Sequence, residues 1–346
     1  MEASLRVYRC PLYVPVSDSG LKRILHLVSF ALSSFPVMIR QLVWRPDVVW
    51  VVEPTLAGAP AAWLVARMSG AKVWLHVQDF EVDMAFGMGL LRWGWLRRFA
   101  LGFERVLMRR FDRVSTISAS MRTRLLLKGV DVERVRNFPN WANVAEIFPL
   151  SWPSELHKTL SISEGEVVAL YSGNMGQKQG LELLIEAAQR MAVSMPALRF
   201  VLCGEGAAKT HLQRMAVGLK NILWLPLQPL EQMNELLNLA DFHLLPQRAD
   251  ASDLVMPSKL TNMLASGRPV IATALEDTEV SRVVLGCGLV TPPGDVDALV
   301  TAIQQLAEDG ELRASFGQAA RAYAVQHLAK DAILRRFKAD LEQLCR

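Results

Sequence analysis

Cysteine is scarce in this 346-residue chain, and the four present, Cys10, Cys203, Cys287 and Cys345, stand far apart with no paired spacing. That pattern excludes a disulfide framework and a thiolate zinc site, and leaves free thiols in a reducing compartment. The six histidines are as scattered, so no metal-ligand spacing is on offer. Charge of one sign is also missing. The net charge is +4, and no basic–aromatic motif accompanies it, which removes nucleic acid as an expected partner. Short-period repeats and low-complexity tracts are absent. The first fifteen residues carry Glu2, Arg6 and Arg9 and lack the apolar core of a signal peptide. The longest apolar region, Ile24–Val43, is broken by His26, Pro36 and Arg40; it reads as an amphipathic helix, in one piece or two meeting at Pro36, rather than a membrane span.

Apolar material is plentiful. Hydrophobic residues make up 51% of the chain, ample for two cores, and the length suggests two domains. Buried-strand runs alternate with helical periodicity throughout. Strands are expected at 47–52, 72–77, 113–117, 134–135, 167–171, 199–203, 222–225, 242–245, 270–273 and 288–290, with helices between them. Alternation of this kind gives parallel sheets with helices on both faces, an α/β doubly wound architecture. A polar, unperiodic patch with Pro149, Trp152 and Pro153 reads as the linker. The expected domains are 1–150 and 151–329. A last helix, 330–346, carries an apolar stripe of Ile333, Leu334, Phe337 and Leu341 and could reach back to the first domain.

Two stretches point to chemistry. The first is 171–180, Tyr-Ser-Gly-Asn-Met-Gly-Gln-Lys-Gln-Gly, after the apolar run 167–170 and before a helical stripe. Strand, glycine-rich turn and helix start together form an anion site: Gly173 and Gly176 allow close backbone approach, free amides face the ligand, and Lys178 adds charge. A plain turn with an exposed lysine accounts for such a loop about as often. The second is 254–267. Pro257 suits a first helical position and Gly267 the residue past a helix end, so Ser258 and Lys259 fall in the first turn. Lysine is unfavourable beside its own helix's positive end, and an anion there would explain it. Gly204-Glu205-Gly206 follows another strand and shares the rim with Gly173, as a plain turn or as part of the site. Leu225-Pro226-Leu227 packs on a neighbouring strand or against a nucleobase. At the exit of 72–77, Gln78-Asp79-Phe80-Glu81-Val82-Asp83 brings three carboxylates to a strand's carboxyl end, where ligands gather in open α/β sheets.

The segments 171–180, 203–206, 239–247 and 257–272 resemble the donor domain of family-4 glycosyltransferases, retaining enzymes of the two-domain GT-B fold. The runs 76–83 and 172–176 are similar to the colanic-acid branch of bacterial exopolysaccharide synthesis. The resemblance implies two Rossmann-like domains facing across a cleft, with no metal or other cofactor. A UDP- or GDP-linked sugar donor binds mainly to the second domain, through Gly173, Asn174, Gly176, Lys178, Gly204, Met256, Pro257, Ser258, Lys259 and Asn262. Lys178 and Lys259 stabilise the departing diphosphate, where losing one such donor costs about 3 kcal/mol of barrier. Asp79 orients or deprotonates the acceptor hydroxyl. His76 and Glu81 are rivals for that role. A strand-end residue bonded to backbone is the plainer account of His76, and a solvated rim that of Glu81 and Asp83.

The sequence departs from the family's pattern at several positions. Asn174 stands where many relatives have Arg, Gln179 where they have the loop Lys, and Leu254 and Asn262 at their paired glutamates. Ribose contact would then pass to Asn262 or Thr261. The opening strand–glycine turn–helix unit of relatives has no counterpart, so the first domain is expected to be truncated, through a start lying upstream or through degeneracy. A catalytically inactive nucleotide-sugar-binding relative is therefore the alternative to an active transferase; a nucleotide-sugar epimerase needs a fuller acid–base set. The acceptor implied is a lipid-linked glycan or oligosaccharide. Residues 90–113 interleave Arg92, Arg97, Arg98, Arg105, Arg109, Arg110 and Arg113 with Trp93, Trp95, Phe99, Leu101, Phe103 and Leu107. That composition suits a helix lying on anionic lipid, hence a cytoplasmic protein peripheral on the inner face of the plasma membrane; a solvated arginine face over a buried aromatic one is the other reading.

Overall fold

The computed structural model describes residues 5–15, 20–53, 56–80, 82–83, 94–150, 154–176, 179–248 and 257–346. The chain divides into two compact units, Met1–Pro139 with Arg336–Arg346, and Asn140–Arg335.

In the first unit the order is α1 (Gly20–Arg40), β1 (Val48–Glu53), α2 (Ala59–Ser69), β2 (Lys72–Val77), α3 (Gly94–Met108), β3 (Arg113–Thr116), α4 (Ala119–Leu127) and β4 (Val135–Asn137). The four strands pair in parallel in the order β1-β2-β3-β4. Pro36 lies inside α1, so one helix runs where two pieces were an option. α4 is capped by Ser118, whose hydroxyl accepts from the Met121 amide at 3.2 Å and satisfies a donor that the first turn leaves open. The long helix expected at 90–111 is described from Gly94 to Met108; residues 90–93 lie outside the described residues.

Helix α3 does not carry the buried aromatic face that one of its two readings expects, since Trp95, Phe99 and Phe103 are exposed, but it does bury a charge. Glu104 is fully buried and pairs with the ammonium of Lys128, itself buried, which also meets Asp83 at 2.9 Å. Burial pushes the Glu104 carboxyl up, and the neighbouring Lys128 opposes that. Asp83, expected on a solvated rim, is thus half of a partly buried ion pair. Such an arrangement survives because each charge has its partner; removing one would strand the other in low dielectric. Arg109 donates to the Lys128 carbonyl at 3.3 Å, and Arg110 lies over Trp63 at 5.1 Å from the ring centroid.

The second unit contains α5 (Glu155–Thr159), β5 (Val167–Ser172), α6 (Glu182–Ser194), β6 (Leu198–Cys203), α7 (Lys209–Met215), β7 (Ile222–Leu225), α8 (Met233–Asn238), β8 (Phe242–Leu245), α9 (Ser258–Ala265), β9 (Val270–Thr273), α10 (Glu279–Val284), β10 (Gly288–Thr291), α11 (Val296–Glu308), α12 (Gly310–His327) and α13 (Lys330–Cys345). The residues of α13 from Arg336 onward belong to the first unit, where Phe337 stacks on Phe138 at 4.4 Å and meets Trp74 edge-on at 5.1 Å.

The six strands are parallel in the order β10-β9-β8-β5-β6-β7. Successive residues of β5 serve opposite faces. Ala169 and Tyr171 join the cluster with Leu184, Phe200 and Ile303, while Val168 and Leu170 join Val201, Leu236 and Leu239. Burial on both faces explains the unbroken apolar run, at about 1.5–3 kcal/mol for each large side chain removed from water. From β5 the chain first winds outward to β6 and β7, then returns to β8 on the other side. A crevice opens at the carboxyl ends of β5 and β8, where the direction of winding reverses.

The composition break near residue 150 falls inside this second unit. Segment 140–150 is held there by polar side chains: Arg321 donates to the carbonyls of Val144 and Ile147, Arg268 to that of Leu150, and the Asn238 carbonyl accepts from the Leu150 amide.

Candidate active site

The β5 loop and the start of α9 converge at that crevice. Gly173 takes φ +142°, and its amide donates to the Cys203 carbonyl at 3.0 Å. Met175 donates to Glu205 at 2.8 Å, so both amides are committed to the neighbouring loop rather than free for an anion. Gly204 has φ +146°, and a Cβ there would stand 1.9 Å from the Gly173 carbonyl oxygen. The two glycine turns are therefore stacked backbone on backbone, which only glycine permits. Lys209 braces this second turn, donating to the Gly204 carbonyl at 3.1 Å and to Glu205 at 2.6 Å.

Pro257 is the N-cap residue of α9, with ψ 123°, not its first helical residue as the sequence predicts; the helix begins at Ser258 and ends with Gly267 in the left-handed region at φ +70°. Lys259 leaves the first turn and runs back to Gly173, where a Cβ would meet its Cδ at 3.6 Å and its Nζ at 3.7 Å. The ammonium lies 4.3 Å from the centroid of the Tyr171 ring. Burial pulls the Lys259 pKa down to about 8.

Beside this lysine is a cavity of about 150 Å³. Leu227, Met233, Leu236 and Leu237 form its apolar wall, Cys203 its buried floor, and Ser172, Gln228, Asn262 and Lys259 its polar rim. Cys203 donates its thiol hydrogen to the Pro226 carbonyl at 3.2 Å, and burial raises its pKa. Among the expected site residues, Gly173, Gly204, Lys259 and Asn262 come together here. Asn174 and Ser258 are exposed nearby in sequence, and Gly176 is covered by the Gln179 side chain, whose oxygen would stand 2.9 Å from a Cβ at that position. Lys178 and Met256 lie outside the described residues, as does Glu81. Of the two substitutes for the ribose contact, Thr261 is spent as a donor: its buried hydroxyl donates to the Ser258 carbonyl at 2.7 Å, with the Trp141 carbonyl 3.3 Å away. Asn262 remains.

Apolar walls from α8 and the ring of Tyr171 escaped the sequence argument. The α8 leucines look like any core stripe, and an aromatic inside an apolar strand looks like packing.

In the first unit Asp79 is half-buried just past β2. His76 is not available as a base. It is buried, its Nδ1 lies 2.9 Å from the Ser115 hydroxyl and its Nε2 2.9 Å from the Gln78 amide, and burial lowers its pKa to about 4. Besides these side chains, a backbone hydrogen bond at Ser115 acts on it, in keeping with the account of His76 as a strand-end residue bonded to backbone. Among the described residues no group of three His, Cys, Asp or Glu is placed to hold a metal ion.

Comparison with known proteins gives this arrangement its family. Residues 154–323 match the family Glycosyl transferases group 1, and residues 1–141 match the Glycosyl transferase 4-like domain. The chain is 41% identical over 350 residues to the putative colanic acid biosynthesis glycosyl transferase WcaI of Escherichia coli K12, covering 98% of this chain and 84% of that protein. The chain belongs to the family-4 glycosyltransferases. Its fold is GT-B: among solved structures it is similar to Anabaena HepE in complex with UDP, at a TM-score of 0.74 and 17% identity over 94% of this chain and 84% of that one. Sucrose-phosphate synthase from Thermosynechococcus elongatus is similar at a TM-score of 0.74 and 17% identity, over 96% of this chain and 80% of that one. This glycosyltransferase therefore carries its lysine-bearing crevice in the part that matches group 1.

Proposed function

We propose that this glycosyltransferase takes a nucleoside-diphosphate sugar in the crevice between β5 and α9 and transfers the sugar, with retained anomeric configuration, to a lipid-linked glycan in exopolysaccharide synthesis. The observation that carries the reading is Lys259, whose ammonium stands beside Gly173 at the rim of a cavity with an apolar wall. The cavity suits a nucleobase and Asn262 a ribose hydroxyl. The diphosphate gains negative charge as the glycosidic bond breaks, and a fixed cation held in a partly dry site stabilises that change without rearranging. Asp79 serves the acceptor hydroxyl as base or orienting group. Uracil is the base we put first, because HepE, of the same fold, holds UDP.

A membrane surface as the place of transfer has its own support. On α3, Trp95, Phe99, Phe103 and Val106 are exposed and recur at helical spacing, with Arg97, Arg98 and Arg105 exposed around them. The segment Ile24–Val43 is also long and apolar enough to cross a bilayer by length and composition, and little of it is buried. We read both as contacts with the inner leaflet, which would bring the enzyme to lipid-linked acceptors from the cytoplasmic side.

The test is transfer of labelled sugar from a panel of UDP- and GDP-sugars to a membrane extract, together with thermal shift by UDP and GDP. Active transfer lost in Lys259→Ala with the fold retained is the expected result. Nucleotide binding without transfer to any acceptor would favour the inactive binding relative instead.

A further inference from the structure

Tyr171 interrupts an aliphatic strand, Val-Val-Ala-Leu-Tyr-Ser, and is fully buried. Its two ends meet both halves of the crevice. The ring faces the Lys259 ammonium at 4.3 Å, and the hydroxyl donates to the Asn174 carbonyl at 2.6 Å. The peptide between Asn174 and Met175 is thereby held at both ends, because the Met175 amide donates to Glu205 at 2.8 Å. A lysine on a four-carbon stem would otherwise sample many rotamers. The seat it has here is the negative face of a ring, which orients the ammonium without neutralising it as a carboxylate would.

We infer that Tyr171 is the positioning residue of the donor site: its ring seats Lys259 at the mouth of the cavity, and its hydroxyl locks the loop that Lys259 lies against. This rests on the reading that Lys259 meets the donor's diphosphate. Phenylalanine would supply the seat without the lock, and leucine neither. Burial keeps the phenol neutral, since it pushes the Tyr171 pKa up, so the hydroxyl remains a donor.

Titration calorimetry with UDP, run in a four-variant cycle, tests this. Tyr171→Phe should fold and lose about threefold to tenfold in affinity, the share of one neutral hydrogen bond. Tyr171→Leu should lose a further several-fold, the share of the ring. In a Lys259→Ala background that further penalty of leucine over phenylalanine should vanish, because the ring then has nothing to seat. A penalty that persists unchanged in that background overturns the seat, and wild-type affinity in Tyr171→Phe overturns the lock. A second measurement needs no change at position 171. The proton resonance of the Lys259 ε-methylene, identified by its loss in Lys259→Ala, should be shifted upfield by the ring and should move when UDP is added. An unshifted resonance in the free protein sinks the seat. Failure of the nucleotide reading would look different: Lys259→Ala itself would bind UDP as the wild type does.

Discussion

Lys259 makes donor binding sensitive to pH in a calculable way. Its pKa is drawn down to about 8 by burial, so the free site holds an ammonium at pH 7 and mostly an amine at pH 9. A diphosphate favours the charged form, so the bound site keeps its proton to higher pH. Binding above pH 8 therefore includes proton uptake, and affinity falls as pH rises through that value. Between pH 7 and pH 9 the protonated fraction of such a group drops about tenfold, which is about 1.4 kcal/mol of binding free energy. Phosphate's second ionisation, near pH 6, is about nine-tenths complete at pH 7 and adds little across this range. Among the described residues, Tyr171 under the lysine and Cys203 in the same cavity are both raised by burial and stay neutral. UDP calorimetry at fixed ionic strength should show the tenfold loss in the wild type. Lys259→Ala, measured in parallel, cancels any titration of the ligand itself and should be weaker at pH 7 but lack the slope. A wild type that is flat from pH 7 to pH 9, or a variant that falls in step with it, would refute the assignment of Lys259 to the diphosphate.

Gly204→Ala should be costly, because its Cβ would stand 1.9 Å from a backbone oxygen that cannot swing aside. Overpacking and left-handed strain together imply about 3 kcal/mol, or a melting temperature lower by about 6–12 °C for a unit of this size. UDP affinity should fall with it, and a melting curve unchanged by the substitution would show that the two glycine turns are not in contact. His76 is held neutral by burial, with a pKa of about 4 against an ordinary 6.5. The unfolded chain then binds the extra proton first, so stability is complete above pH 6.5 and is lost as pH falls toward 4, by up to about 3 kcal/mol from this residue. Chemical denaturation of His76→Gln should show a shallower acid limb than the wild type by that amount. Replacing Trp95, Phe99 and Phe103 together by serine should leave the melting temperature nearly unchanged, since all three are exposed, while abolishing co-sedimentation with anionic vesicles. Retained co-sedimentation would remove α3 from the membrane proposal.

Strand and helix order was legible because each depends on neighbours within a turn or two. The apolar run before Gly173 marks a strand buried on both faces, and Ser118 announces a helix start by its own hydroxyl. The two anion-site candidates were visible for the same reason, as glycines and a first-turn lysine at strand–helix junctions. Alternation alone does not say that β5 lies between β8 and β6, and that order is what brings Tyr171, Gly173, Cys203 and Lys259 to one crevice. The sequence offered a solvated rim for Asp83 and gave no sign that Glu104 is buried, whereas both pair with Lys128, from elsewhere in the chain. The patch at Pro149, Trp152 and Pro153 put the expected boundary after residue 150, whereas segment 140–150 belongs to the second unit, where Arg321 and Arg268 donate to its backbone and Asn238 accepts from it. Local sequence thus determined the elements, the fold class and the chemical types at the site. Tertiary structure decided which of those groups are dry, which amides are already spent, and which ring a lysine rests on, because burial and long-range pairing depend on the packing of segments that the chain places far apart.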